Sequence, residues 1–225
     1  MKMEKKIKVL GIACSTHKSS RSEAMMREVL KVSEQYGAEI EIIRLSEKKI
    51  GVCESCASEK VEKCTYPCIH TDNTNEVLAK IVECDAIAFS GAVHWGTLSS
   101  PFGILIEKIT ALENNENDIW KKTGREPLEG KPCAIFVSKE YEGASMAIGQ
   151  AMWVLNRLGF LLLPYAGVLK PAVLEKKIVR FGARVLGYDQ LDWIPNTIRL
   201  HGRNLALLPL LFFMFDDHAV DEPRS

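Results

Sequence analysis

The glycine-rich dinucleotide fingerprint G-x-G-x-x-G is missing where it would matter: Gly11 stands alone, and Ser15 to Ser22 contains no glycine. That sets aside the classical NAD-binding arrangement, whose glycines let backbone close on a pyrophosphate. Neither sign of charge is in excess, with 29 Lys and Arg against 29 Asp and Glu, so no bulk field draws the chain to nucleic acid or a membrane. No apolar run approaches the roughly 20 residues of a membrane span. The segment Leu205 to Phe215 has eleven residues, includes Pro209 and ends at Asp216-Asp217. Met-Lys-Met-Glu-Lys-Lys at the N-terminus precedes an apolar stretch too short for a signal h-region, with Gly11 where a lipoprotein signal wants a large aliphatic residue. The stretch reads as a strand and the protein as cytoplasmic. Seven cysteines in such a chain argue for metal or redox chemistry rather than disulfides.

What is present is an alternation of strands and helices, in a 225-residue chain of 47% hydrophobic content that can bury one substantial core. Ile7, Val9, Leu10, Ile12 and Ala13 form a short apolar run, as expected of a central strand buried on both faces. Met25, Val29, Val32 and Tyr36 repeat at helical spacing, closed by Gly37. Ile40, Ile42 and Leu45 alternate with charged residues, the pattern of a strand with one wet face. Helical spacing returns at Val77, Leu78, Ile81 and Val82, with Asn73 and Glu76 spaced as a capping box. Ala86 to Phe89 is a third strand, Ala92 to Ser99 a loop, and the next helix buries Phe102, Leu105, Ile106, Ile109 and Leu112. Cys133 to Val137, Ala144 to Leu158 and Phe160 to Leu163 continue as strand, helix and strand. Ile178, Phe181 and Val185 suggest a fifth helix ending near Gly187.

Five strands with crossovers long enough for parallel pairing predict a doubly wound α/β sheet. Without the dinucleotide fingerprint, the favoured order is the flavodoxin-like 2-1-3-4-5, in which FMN sits at the switch between strands one and three. The expected layout is a flavodoxin-like domain over residues 1–170, a cysteine-rich loop over 46–71 after strand two, and a C-terminal helical extension over 171–225.

The residues between strand one and its helix carry the first chemistry. Of Ser15 to Ser22, five bear hydroxyls (Ser15, Thr16, Ser19, Ser20, Ser22) and three are basic (His17, Lys18, Arg21). A hydroxyl-rich loop at a helix N-terminus is a phosphate cradle, because backbone N–H groups left free by the first turn point at the anion. Ser20 and Glu23 also have capping-box spacing, which gives Ser20 a purely structural alternative. The second chemistry is Cys53-x2-Cys56-x7-Cys64-x3-Cys68. The segment has no apolar period, so its thiols are not core fillers. Four thiolates fit either a cubane iron-sulfur cluster or a tetrahedral zinc site, and metal-free thiols are the remaining alternative. Cys14, Cys84 and Cys133 read as small buried hydrophobes, with Cys14, beside the phosphate loop, the one whose reactivity is worth testing.

These residues, taken in order, resemble the NADPH-dependent FMN reductase and iron-sulfur flavoprotein group of the flavodoxin-like superfamily, over about the first 165 residues. The family loop G-S-P-R-x-x-x-N-T falls on Cys14 to Ser22, with Ser15 matching the serine and Ser22 the threonine, while His17 and Arg21 replace arginine and asparagine. Its flavin-ring loop P-V-Y-W-G falls on Ala92-Val93-His94-Trp95-Gly96. In the following helix the family's K-x-x-(hydrophobic)-D-R becomes Gly103 with Glu107-Lys108, and its cysteine-rich segment resembles Cys53 to Asp72, with Glu59 where a third cysteine of the compact run would fall. Gly130-Lys131-Pro132 and Gly159-Phe160 also match.

The resemblance implies that Ser15, His17, Ser20, Arg21 and Ser22 hold the FMN phosphate. It implies that Ala92, Val93, His94, Trp95 and Gly96 lie along the ring, and that the stretch from Ser138 to Gly143 closes its far side. It implies an enzyme moving electrons from NAD(P)H or a reduced carrier to a flavin, quinone or other small acceptor, with a 4Fe-4S cluster, or zinc as the alternative, on Cys53, Cys56, Cys64 and Cys68. A ferredoxin-linked electron carrier and a zinc-stapled, flavin-free binding domain are the other readings. No side chain is required as a catalytic acid or base for hydride transfer; His94 is the nearest candidate for steering a proton. The apolar segment Leu205 to Phe215 is expected at the interface of a homodimer or homotetramer, against alternatives of packing on its own domain or anchoring at a membrane surface.

Overall fold

Local patterning and long-range pairing agree over most of the chain. The computed structural model describes residues 6–18, 20–113, 126–139, 143–171 and 193–216. Its strands are β1 (Lys8–Ala13), β2 (Glu39–Arg44), β3 (Ala86–His94), β4 (Thr97–Leu98), β5 (Pro132–Lys139) and β6 (Leu161–Pro171). Its α-helices are α1 (Arg21–Gln35), α2 (Thr74–Glu83), α3 (Ser100–Glu113), α4 (Ala144–Arg157) and α5 (Trp193–Asp216). Five strands run parallel in the order β2-β1-β3-β5-β6. This is the flavodoxin-like order read from the sequence, with one correction: a sixth strand, β4, pairs antiparallel with the end of β3.

The two sheet faces differ in the size of their side chains. Facing α1 and α5 are several small residues, Gly11, Ala13, Ala86, Ala88 and Ala134, beside the larger Val9, Phe136 and Leu163, among which Met25, Met26, Val29, Leu30, Leu205 and Ala206 pack. A Cβ on Gly11 would lie 2.6 Å from Leu30 Cδ1, so this face brings α1 close to the sheet. The opposite face carries Leu10, Ile12, Ile87, Phe89, Ile135 and Val137 against Val77, Leu78 and Ile81 of α2, Leu105 and Ile109 of α3, and Ala147, Ala151 and Leu155 of α4.

Several boundaries depart from the sequence reading. In β2, Ile43 is the buried residue while Ile40 and Ile42 are half-buried, and Leu45 begins a short 3-10 turn. The strand lies at the sheet edge and twists its wet face partly inward. β6 extends to Pro171 rather than stopping at Leu163, because Pro164 and Gly167 interrupt the apolar run but not the pairing, whose register jumps between Cys133↔Leu162 and Ile135↔Gly167. The helix expected over Ile178, Phe181 and Val185 lies outside the described residues.

The largest change concerns the C-terminus. Helix α5 covers the same sheet face as α1, with Leu205 and Ala206 in the core and His201 edge-on to Phe136 at 5.7 Å. Part of the segment expected at a subunit interface therefore packs on its own sheet, which had apolar surface left beside α1 to receive it. Leu207 and Leu210 are exposed on the other side of the helix. Among the described residues no helix is long and apolar enough to cross a membrane.

The two helices cross at Gly202. Ser33 Oγ donates to the Gly202 carbonyl at 2.9 Å. A Cβ there would meet the Val29 carbonyl oxygen at 2.7 Å and Val32 Cβ at 2.5 Å. Alanine ordinarily helps a helix interior by up to about 1 kcal/mol, but here it pushes one helix off another. Gly202→Ala is expected to destabilise the protein by about 1–3 kcal/mol, seen as a lower urea midpoint. An unchanged or raised midpoint would show that α5 slides freely on α1.

Candidate functional site

The carboxyl ends of β1, β3 and β5 lie side by side, since Ala13 pairs with Ser90 and Ala92 with Ser138. Strand order reverses between β1 and β3, so this edge is the topological switch point where ligands of open α/β sheets bind. The β1 end is pinned: Cys14 N–H donates to the Ser90 carbonyl at 2.7 Å, and Ser99 Oγ donates to the Cys14 carbonyl at 2.8 Å. Beyond it the loop turns on Ser15, whose buried hydroxyl accepts from His17 N–H at 3.2 Å. Thr16, His17 and Lys18 are exposed, and Ser19 lies outside the described residues.

Ser20 caps α1, its Oγ accepting from Glu23 N–H at 3.4 Å. The reciprocal half of the capping box is absent, because the Glu23 side chain is buried and accepts from Arg27 Nε at 2.8 Å and Arg44 Nε at 2.9 Å. Ser22 is fully buried on α1, its hydroxyl 2.8 Å from that of Ser20. That contact ties Ser22 to the capping residue of α1. Arg21, the first residue of α1, is exposed. Cys14 is fully buried, and burial pushes its thiol far above the ordinary range; the thiol expected to be worth testing for reactivity is sealed in the core.

The expected loop from Ala92 to Ser99 is instead a β-hairpin. β3 continues through Ala92, Val93 and His94, and Val93 and His94 pair with Leu98 and Thr97. The two-residue turn is Trp95-Gly96, both with positive φ, 52° and 77°, as the right-handed twist of a tight hairpin requires. An aromatic residue in left-handed backbone costs about 1–2 kcal/mol. Thr97 Oγ1 bonding the His94 carbonyl at 2.9 Å helps to hold it there. The hairpin signal was in the sequence as an X-Gly pair between two short apolar stretches. Trp95 is fully exposed, so it covers no core.

The other expected wall also arrives here. Ser138 is half-buried at the end of β5, and Gly143, with φ 92°, precedes α4. A Cβ on Gly143 would lie 3.0 Å from Gly96 Cα, so the hairpin tip touches the start of α4. Residues 140–142 lie outside the described residues.

The cysteine segment forms a second site. Its ends are fastened to the domain: Asp72 accepts from Gly51 N–H at 2.7 Å and Thr74 N–H at 2.8 Å. Asn75 on α2 accepts from Cys68 N–H at 2.7 Å and donates to the Cys68 carbonyl at 2.8 Å. Burial alone would raise the Asp72 carboxyl, but the Thr74 and Gly51 hydrogen bonds and the nearby His70 bring it down to about 2. Asp72, not Asn73, therefore serves the N-terminus of α2, while Asn73 bonds Lys49 N–H at 2.8 Å and Glu76 at 2.9 Å.

All four thiols, Cys53, Cys56, Cys64 and Cys68, line one small cavity together with His70, Glu107 and Lys108. Burial raises the Cys64 thiol, and the charges of Cys53, Cys56 and Cys68 push it further in the same direction. Among the described residues no group of three or more His, Cys, Asp or Glu side chains is placed to hold a metal ion. By residue type the donor set is that of a thiolate metal site, and Cys64 lies near enough to the other three thiols to feel their charges. The remaining cysteines behave as expected: Cys84 and Cys133 are buried, and burial raises both thiols, Cys84 to about 11.

Fold and switch-point architecture define a flavodoxin-like α/β protein. The sequence model of the NADPH-dependent FMN reductases matches residues 7–172, and the chain belongs to that family. It is 32% identical over 103 residues to an iron-sulfur flavoprotein of Methanocaldococcus jannaschii, covering 45% of this chain and 51% of that protein. It is 25% identical over 103 residues to an iron-sulfur flavoprotein of Archaeoglobus fulgidus, covering 46% of each. The aligned region thus spans about half the length of the curated relatives. Among solved structures, RosB with bound 8-demethyl-8-formylriboflavin-5'-phosphate superposes with a TM-score of 0.65 at 18% identity, covering 97% of this chain and 90% of RosB. An archaeal flavodoxin superposes at 0.54 and 14% identity, covering 91% and 99%. At such identities these structures speak to the fold.

Proposed function

We propose that the protein is an FMN-dependent oxidoreductase, taking electrons from NAD(P)H or a reduced carrier and delivering them to a flavin, quinone or other small acceptor. The observation that carries this reading is the strand, hydroxyl-bearing loop and helix N-terminus set at the switch point of a sheet belonging to the FMN reductase family. Bound FMN supplies the hydride and electron chemistry; the chain binds, orients and shields it. Ser15, Ser20, His17, Arg21 and backbone N–H groups of the first turn of α1 would take the phosphate. Ser22 would act through Ser20, to which it is hydrogen-bonded. The hairpin from Ala92 to Gly96 and the segment ending at Gly143 would border the ring, with Trp95 available to stack on a flat aromatic group.

The second site extends the proposal. Cys53, Cys56, Cys64 and Cys68 would hold an iron-sulfur cluster, or zinc, through their thiolates. A cluster there favours a second reading, a carrier that exchanges single electrons with a ferredoxin-like partner. Steady-state oxidation of NADH and NADPH with free flavin or quinone separates a reductase from such a carrier. The assembly proposed is a homodimer or homotetramer.

The visible spectrum of protein purified without air, with flavin content after acid extraction, tests the flavin reading directly. Loss of one hydrogen bond to a charged phosphate costs about 1.5–3 kcal/mol. Ser15→Ala is therefore expected to weaken FMN binding about tenfold or more while leaving the far-UV spectrum unchanged. Colourless protein that also refuses added FMN would overturn the assignment.

A further inference from the structure

One charged side chain near the cysteines is buried with no ion-paired carboxylate among the described residues. Lys108 is 2% exposed, on the inner side of α3, while its neighbour Glu107 is exposed. Its Nζ donates to the Val52 carbonyl at 3.1 Å, one residue before Cys53. Both Lys108 and the four thiols line the same cavity. Of the other charged groups around that cavity, Lys63 pairs with Glu59, Glu54 lies 3.7 Å from His70 Nε2, and the Glu107 side chain is exposed to solvent. A lysine is almost never fully buried unless something compensates it, and a carbonyl dipole alone is weak compensation for an ammonium. Four thiolates, by contrast, exceed the two positive charges of a zinc ion or an oxidised cubane core, leaving net negative charge in a confined space.

We propose that Lys108 is the built-in counter-charge of the four-cysteine site, buried there to offset the excess negative charge of a thiolate-held metal group and to ease its reduction. The inference rests on the metal reading of those cysteines given above. Each electron added to such a group makes it more negative, and a fixed ammonium beside it favours that state. Net charge and hydrogen bonding are among the levers that set cluster potentials. Lys108 thereby acts as a positioning residue for charge and touches no reacting atom.

Two substitutions in the full chain separate charge from hydrogen bonding. Lys108→Met keeps the volume and removes both; Lys108→Gln keeps a donor for the Val52 carbonyl and removes the charge. Far-UV circular dichroism checks that each variant folds, and Lys108→Gln, which keeps the Val52 contact, stands in if Lys108→Met does not. Protein prepared without air is assayed for iron, sulfide and zinc, then titrated with dithionite under electron paramagnetic resonance. Both variants are expected to be harder to reduce than wild type by at least tenfold, about 59 mV for one electron. If the wild type holds zinc, the readout is Co²⁺ titration of the reduced apoprotein, with both variants binding at least tenfold more weakly. Variants equal to wild type in potential or Co²⁺ affinity overturn the role of Lys108 alone. An effect in Lys108→Met absent from Lys108→Gln overturns it too, since it traces to the Val52 contact. Wild type that holds neither metal and takes up no Co²⁺ overturns the metal reading and this inference together.

Discussion

Serine in place of any one of Cys53, Cys56, Cys64 or Cys68 is expected to strip most of the metal from protein prepared without air, whereas Cys84→Ser and Cys133→Ser are expected to leave it. The contrast follows from position. The first four thiols line one cavity, where burial and then the charges of Cys53, Cys56 and Cys68 raise the Cys64 thiol. Cys84 and Cys133 sit within the core of the sheet, where burial keeps their thiols protonated. A closed site needs each of its ligands, and a serine hydroxyl does not replace a thiolate on soft metal. Iron, sulfide and zinc analysis of the six variants is the measurement. Uniform metal content across all six would detach the cysteine loop from metal chemistry.

The largest stability effect is expected at Phe89. This residue is fully buried in the central strand β3 and presents its ring edge-on to Phe102 of α3 at 5.7 Å and to Phe160 before β6 at 6.2 Å. It therefore joins the strand that runs on into the hairpin to the helix that leaves it. Phe89→Ala removes the ring and leaves a cavity, a combination that costs about 3–5 kcal/mol, a large part of a typical total of about 5–15 kcal/mol. Trp153, exposed on α4, is the control, since such surface changes stay within about 0.5 kcal/mol. Urea midpoints of the two variants test this, and near-equal midpoints would show that the aromatic cluster is not the core's keystone.

How much of this was legible beforehand varies by element. The central strands were plain, because a strand covered on both faces must be apolar throughout, and Val9 to Ala13 and Ala86 to Phe89 are. The phosphate loop was visible as a cluster of hydroxyls at a strand-to-helix junction, and the four thiols as a spacing with no apolar period. The hairpin at Trp95-Gly96 was missed because its two strand segments are short and its turn carries an aromatic residue where Asn or Asp is usual. Lys108 was read only as standing, with Glu107, where the family's D-R falls, since helical position alone does not tell which of two adjacent residues faces inward.

The chain's own sequence determined which segments become strands and helices, the parallel order in which they pair, and which residue types are available to hold a phosphate or a metal. These follow from periodicity, turn chemistry and loop length, which act over a few residues. Only the tertiary structure decided that α5 packs beside α1 on the small-residue face, that Ser22 stands behind Ser20, that Cys14 is sealed, and that Lys108 is buried among the cysteines. Each depends on contacts between segments far apart in the chain, where packing and desolvation rather than local pattern set which side chain faces which.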